Sequence, residues 1–264
     1  MKKYTFIIML FFFNHLLYPY ITESDQLKSV FDYIPNAPDK YGILVIYDFD
    51  NTLIETEIEL GSDQWFYHMM QKYAQNGLSM DLAAQYILPV YYLIRNTIDI
   101  VPTESDVADI INKVQNMGVR VIGLTAQGFH IVKRSTEQLK ELGIDFSSSA
   151  FFGNYIEKKY HCHNGSIFCH GHNKNIVLKE VFEHNNYYPH TIIFIDDKEK
   201  NLNYIKDLAH NLGINFYGIR YSRMDKKVAH FDPVIADKQL AHFYRQQHIE
   251  PICIPHHIMA NKKK

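Results

Sequence analysis

The sequence predicts an α/β fold: a doubly wound parallel sheet with a helical cap insertion. Three observations carry this. Apolar runs of strand length at residues 42–47, 119–124 and 190–195 alternate with segments of helical periodicity. The runs are apolar at successive positions, as in strands covered on both faces. The first and third end in carboxylates, at the edge where open α/β sheets hold ligands.

At 264 residues the chain is long enough for one such domain with an insertion, or for two small domains. Its 47% hydrophobic and 21% charged residues exclude a wholly disordered chain. With 27 Lys and Arg against 29 Asp and Glu the net charge is −2, without the basic footprint of a general nucleic-acid binder. Three cysteines are too few for a disulfide scaffold.

Along the chain, Lys2 and Lys3 precede an apolar run, residues 4–13, interrupted at Asn14 and His15 and closed by residues 16–20. This reads as a secretory signal peptide, shorter than the roughly 20 residues of a membrane span. Few small residues lie near positions 18–22, which keeps an uncleaved N-terminal anchor open. The expected organisation is therefore a leader or anchor over 1–22, a core over 23–53 and 119–264, and a cap over 54–118. The protein is expected to be exported, to the periplasm or the medium.

Pro35 and Pro38 end any helix in the stretch that follows the leader. Residues 42–47 form the first buried strand. Residues 62–96 are helical with a break at Asn76-Gly77. Gly118 introduces the second strand, and residues 128–142 form a helix that Gly143 ends. Residues 150–169 alternate around Asn164-Gly165, a hairpin signal. A helix over 174–183, the strand 190–195, a helix over 198–212 closed by Gly213, a last strand over 215–221 and a helix over 233–247 complete the chain, and residues 261–264 are a solvated tail.

The first strand runs into Asp48-Phe49-Asp50-Asn51-Thr52-Leu53 and the third into Asp196-Asp197. Four neighbouring carboxylates repel unless a cation offsets them, and oxygen ligands suit Mg2+. The second strand ends in Leu124-Thr125-Ala126-Gln127, whose hydroxyl and backbone N–H groups suit a phosphate oxygen. Lys174 opens the next helix and adds a positive charge. Each part alone reads blandly, as a turn, a cap, a solvated loop or a surface lysine.

In this order the residues resemble the haloacid dehalogenase-like (HAD) superfamily. Its DxDx(T/V) motif is matched by Asp48, Asp50 and Thr52, its Ser/Thr motif by Thr125, its lysine by Lys174, with Lys179 as a substitute, and its acidic pair by Asp196 and Asp197. The resemblance covers roughly residues 43–221. Residues 61–66 and the hairpin before Lys174 also resemble a bacterial family of exported HAD-like proteins; Asn175 departs from the Gly that often follows the lysine there. The resemblance implies a Mg2+-dependent phosphatase acting through an aspartyl-phosphate. Asp48 is the implied nucleophile and Asp50 the acid and base. Thr125 and Lys174 hold phosphate oxygens, and Lys174 also orients Asp48. Asp48, the Asp50 carbonyl and Asp197 or Asp196 hold the metal. It also implies that the insertion caps the site, with Trp65, Phe66, Tyr67 and His68 as candidates to face a small phosphorylated substrate or to form the cap's own core.

His161-Cys162-His163 and Cys169-His170-Gly171-His172 flank the hairpin turn. Three readings stand: a Zn2+ site, a Cys162–Cys169 disulfide, or free thiols with exposed imidazoles. Cys253 is left unpaired. Two rival functions follow, a non-catalytic HAD-like binding module and a zinc-dependent interaction protein.

Overall fold

The computed structural model describes residues 20–34, 40 and 42–250. The lysine-led segment, Cys253 and the tail lie outside the described residues.

An eight-stranded sheet organises the chain, in the order β1-β10-β9-β2-β5-β8-β7-β6. β2 (Ile43–Tyr47) lies at its centre, between β9 (Thr191–Asp196) and β5 (Arg120–Thr125), and is parallel to both. β10 (Asn215–Tyr221) and the edge strand β1 (Tyr20–Ser24) extend one side in parallel. On the other side β8 (Ser166–Phe168) is parallel, while β7 (His161–His163) and β6 (Tyr155–Ile156) turn antiparallel. The chain leaves β2 toward β5 and β8, then returns to β9 on β2's opposite flank. That reversal makes the β2/β9 boundary the switch point of the sheet.

Every residue of β2 is buried, and alternate side chains enter two separate layers. Val45 and Tyr47 join Leu27 and Val30 with residues of α3 (Val107–Asn116) and α4 (Val132–Glu141). Leu44 and Ile46 join residues of α5 (Lys174–Asn185) and α6 (Glu199–Leu212). The continuous apolar runs thus mark strands covered on both faces, as expected.

Asn164 and Gly165, at φ 47° and 73°, form the two-residue turn of the β7–β8 hairpin, with His163 opposite Ser166. A Cβ on Gly165 would lie 2.4 Å from the Phe146 carbonyl, so only glycine fits.

The insertion holds α1 (Asp63–Gln75) and α2 (Met80–Arg95), carried on a ribbon of β3 (Ile54–Thr56) and β4 (Ile100–Pro102). Ser62 and Ser79 cap the two helices through the N–H groups of Trp65 and Leu82. Gly77, at φ 98°, makes the break between them. The cap is shorter than the expected 54–118, because α3 buries Val107, Ile110, Ile111 and Val114 in the sheet's own core. α7 (Asp225–Ala229) precedes α8 (Pro233–Gln247), which packs Ala236 and Phe243 against Leu60, Trp65 and Met69 of the insertion. The C-terminal helix thus belongs to the cap layer rather than to the expected core. Tyr20, Ile21 and Thr22, which fall inside the expected leader or anchor segment, pair with β10 as part of the sheet. Among the described residues no helix is long and apolar enough to cross a membrane.

Candidate active site

At the switch point, β2 and β9 deliver their terminal carboxylates side by side. The Asp48 N–H donates to the Ile195 carbonyl at 3.0 Å, extending the ladder to the first acid. Beyond it the N–H groups of Thr52, Leu53 and Ile54 all turn back on the Phe49 carbonyl, and Asn51 takes φ 60°. Asn tolerates that left-handed conformation better than most residues, which explains its place in so tight a loop. Thr52 Oγ1 accepts from the Asp197 N–H at 3.1 Å, pinning the two acidic loops together.

Lys174 is buried at the first turn of α5. Its Nζ lies 2.5 Å from Asp48 Oδ1 and 2.7 Å from Asp196 Oδ2. Asp196 is fully engaged: Asn201 Nδ2 reaches both its oxygens at 3.0 Å and the Lys198 N–H reaches Oδ1 at 2.8 Å. Asp197 is different. Its Oδ2 meets Asn51 Nδ2 at 3.5 Å, and its buried Oδ1 has no partner within the protein.

Asp48, Asp196 and Asp197 bring oxygens within 4.8 Å of one another. Burial pushes the Asp48 carboxyl up to about 7, against the lowering pull of Lys174. Burial, with the Asp196 charge beside it, also raises Asp197. Lys174 therefore leaves the cluster short of positive charge. Hard oxygen donors with one buried oxygen unpaired fit Mg2+.

The Asp50 carboxylate turns from this cluster toward the cap. Arg95 Nη1 donates to its Oδ1 at 2.9 Å and Gln127 Nε2 to its Oδ2 at 2.9 Å. Ser135 Oγ donates to Gln127 Oε1 and fixes that amide. Thr125, buried at the end of β5, accepts the Gln127 N–H at 3.2 Å and so caps its own turn. Lys179 is exposed beside Glu183, which removes it as a substitute for Lys174.

Arg95, Gln127 and the cap-to-core pair Lys198–Asp63, at 2.5 Å, were not singled out from the sequence. Arg95 reads there as an ordinary basic residue in a last helical turn. Of the cap candidates, Trp65 is buried in the cap's own core and His68 packs on Phe231, whereas Phe66 and Tyr67 line the cleft between cap and core.

The hairpin residues do not gather. Cys162 lies opposite Ile167, so Cys169 falls beyond the paired position, and both thiols are free and buried. That corrects the disulfide reading. His170 stacks on Phe129 at 4.4 Å rather than meeting a cysteine. Among the described residues the one candidate metal group is Asp48, Asp196 and Asp197, which corrects the zinc reading.

A "putative outer membrane protein" of Chlamydia trachomatis serovar D is 23% identical over 237 residues, covering 88% of this chain and 90% of the relative. One of Chlamydia muridarum, also named "putative outer membrane protein", is 23% identical over 90% of this chain and 92% of its own. Among solved structures, a "putative beta-phosphoglucomutase" from Thermotoga maritima has a TM-score of 0.38 at 10% identity, covering 70% of this chain and 97% of that one. A phospho-aspartyl intermediate analogue of phosphoserine phosphatase has a TM-score of 0.34 at 13% identity, covering 70% and 96%. The family model that matches residues 23–252 is DUF2608, described as a protein of unknown function, and the chain belongs to that family.

Proposed function

We propose that the protein is a HAD-like, Mg2+-dependent phosphohydrolase that cleaves a small phosphomonoester through an aspartyl-phosphate. The observation that carries this reading is the Lys174 ammonium set between Asp48 and Asp196, with one oxygen of Asp197 unpaired beside them. Asp48 attacks phosphorus, the bond to the leaving oxygen breaks, and Asp50 supplies the proton that oxygen needs. Water, deprotonated by Asp50, then cleaves the acyl phosphate and restores Asp48. Lys174 holds Asp48 in place and, with Thr125, receives the phosphoryl oxygens. Asp48, Asp197 and the Asp50 carbonyl would hold Mg2+; Asp196, its oxygens already taken, anchors Lys174 instead. The bound ion supplies charge that lets an anionic carboxylate approach an anionic phosphate. Arg95 and Gln127 occupy both Asp50 oxygens, so for Asp50 to reach the leaving oxygen Arg95 must withdraw, and chemistry is coupled to movement of the cap.

A second reading rests on that same contact. With Arg95 and Gln127 holding both its oxygens, Asp50 has neither free to serve a leaving oxygen, and the protein is a non-catalytic phosphate-binding module. Assay of a panel of phosphomonoesters with and without chelator separates the two: metal-dependent turnover supports the hydrolase, and binding without turnover supports the module. Export is part of the proposal, on the lysine-led apolar segment and the names of the chlamydial relatives. A small phosphorylated molecule is the proposed partner, with no nucleic acid as a structural one.

A further inference from the structure

Between cap and core lies a cleft of about 310 Å³, with Asp50 and Gln127 at its floor. Phe66, Tyr67, Leu88, Tyr91 and Tyr92 line it from the cap, and His170 from the core. The rings stand at angles to one another, with Phe66 5.1 Å from Tyr91 and 5.8 Å from Tyr67, and Tyr91 6.0 Å from Tyr92. They offer aromatic edges and faces to a guest.

The two carboxylates and the side-chain amide of the cleft are committed to neighbouring side chains. Asp50 is held by Arg95 and Gln127, and Asp63 by Lys198. The Gln127 amide donates to Asp50 and accepts from Ser135. No Lys or Arg is among the residues lining the cleft, while two carboxylates are. A guest carrying a carboxylate or second phosphate would meet two carboxylates whose cations, Arg95 and Lys198, are already engaged. A polyhydroxylated guest would find the amide already in use. A flat apolar group would find ring surface on the cap side, and the buried Nδ1 of His170 has no partner within the protein.

Cap and core meet closely at one side of this cleft. A Cβ on Gly128 would lie 2.1 Å from Tyr92 Oη and 3.0 Å from His170 Nδ1, so the absence of a side chain there lets α2 close onto the core loop.

We propose that this cleft seats the leaving group of the substrate and selects phosphomonoesters of neutral aromatic alcohols. The inference rests on the hydrolase reading, because a leaving oxygen protonated by Asp50 belongs on the Asp50 side of phosphorus, where the cleft opens.

The test compares kcat/KM for 2-phenylethyl phosphate, ethyl phosphate and phosphoglycolate in excess Mg2+. The first two share a primary alkoxide leaving group and differ in the ring. The expected preference for the phenylethyl ester over ethyl phosphate is about thirtyfold, equivalent to about 2 kcal/mol from burying the ring. Phosphoglycolate should be no better than ethyl phosphate. Phe66→Ala removes a wall and Ala84→Trp fills the space; each should shrink the phenylethyl-to-ethyl ratio to within a few-fold. A wild-type ratio near one, or a preference for phosphoglycolate, overturns the proposal while leaving the hydrolase reading intact. If no ester is turned over, the hydrolase reading fails, and calorimetry with benzylphosphonate against methylphosphonate tests the cleft by itself. Binding at least about tenfold tighter for the benzyl compound upholds the aromatic site, and equal binding overturns it.

Discussion

Replacing Arg95 with methionine separates the two halves of the ion pair between cap and core, and the geometry predicts an asymmetric result. The guanidinium is 2% exposed and Asp50 is 18% exposed. Arg95→Met removes one charge-assisted hydrogen bond to Asp50, on the order of 1.5–3 kcal/mol. Asp50 keeps Gln127 at 2.9 Å and retains its contact with solvent. The substitution also removes Nε and Nη2, two buried donors with no partner within the protein, and methionine keeps much of the side chain's length. The opposing effects leave a net loss of about 1 kcal/mol. Asp50→Asn leaves the cation in place, buried without its counter-ion, and should cost about 3 kcal/mol or more. The double variant should then be more stable than Asp50→Asn alone. Urea unfolding of all four proteins, with the slope checked for constancy, measures this. If Arg95→Met costs as much as Asp50→Asn, or if the two losses add, the reasoning about who carries the burial penalty is wrong.

Two further predictions concern the same site and a third concerns the hairpin. Lys174→Met leaves Asp48 and Asp196 facing each other without their shared cation; it should lower stability by about 3–5 kcal/mol, with part restored by Mg2+, and an unchanged urea midpoint would contradict this. Because burial raises Asp48 toward about 7, the metal-free protein should lose stability as pH climbs from the unfolded carboxylate range through 7, and Mg2+ should raise the melting temperature more at pH 8 than at pH 5; a uniform shift would count against the metal trio. Cys162 and Cys169 should resist alkylation in the native state, since both are buried and burial pushes the Cys162 thiol up to about 12, and both should be alkylated in unfolded, non-reduced protein; a recovered disulfide between them would contradict the structure.

The carboxylates were legible because each follows a run of apolar residues that can only be a buried strand, so their position at one sheet edge follows from chain geometry. Lys174 was legible as a charge opening a helix, but its burial between two acids was not. Arg95 was hidden because nothing in residues 80–95 says which way the last turn faces. Gln127 was hidden because a neutral amide beside Thr125 carries no signal until Asp50 turns toward it. Helical phase also divided the aromatic run: Trp65 turns inward to stack near Tyr91, while Phe66 and Tyr67 reach the cleft. Residues 107–116 follow the cap helices without a break that marks a change of layer, and only their packing places them in the sheet's own core. The Asn164-Gly165 turn set the hairpin register correctly, and that register keeps the two cysteines from pairing.

The central claim is that Asp48 takes the phosphoryl group. Acid-quenching the enzyme during turnover of a phosphomonoester, followed by peptide mass spectrometry, tests it directly. The account predicts one added phosphoryl group on Asp48 in the wild type, none in Asp48→Asn, and a rate for that variant at least about a thousandfold lower with the fold retained. A phosphoryl group on another residue, or turnover by Asp48→Asn above about a tenth of the wild-type rate, would contradict it.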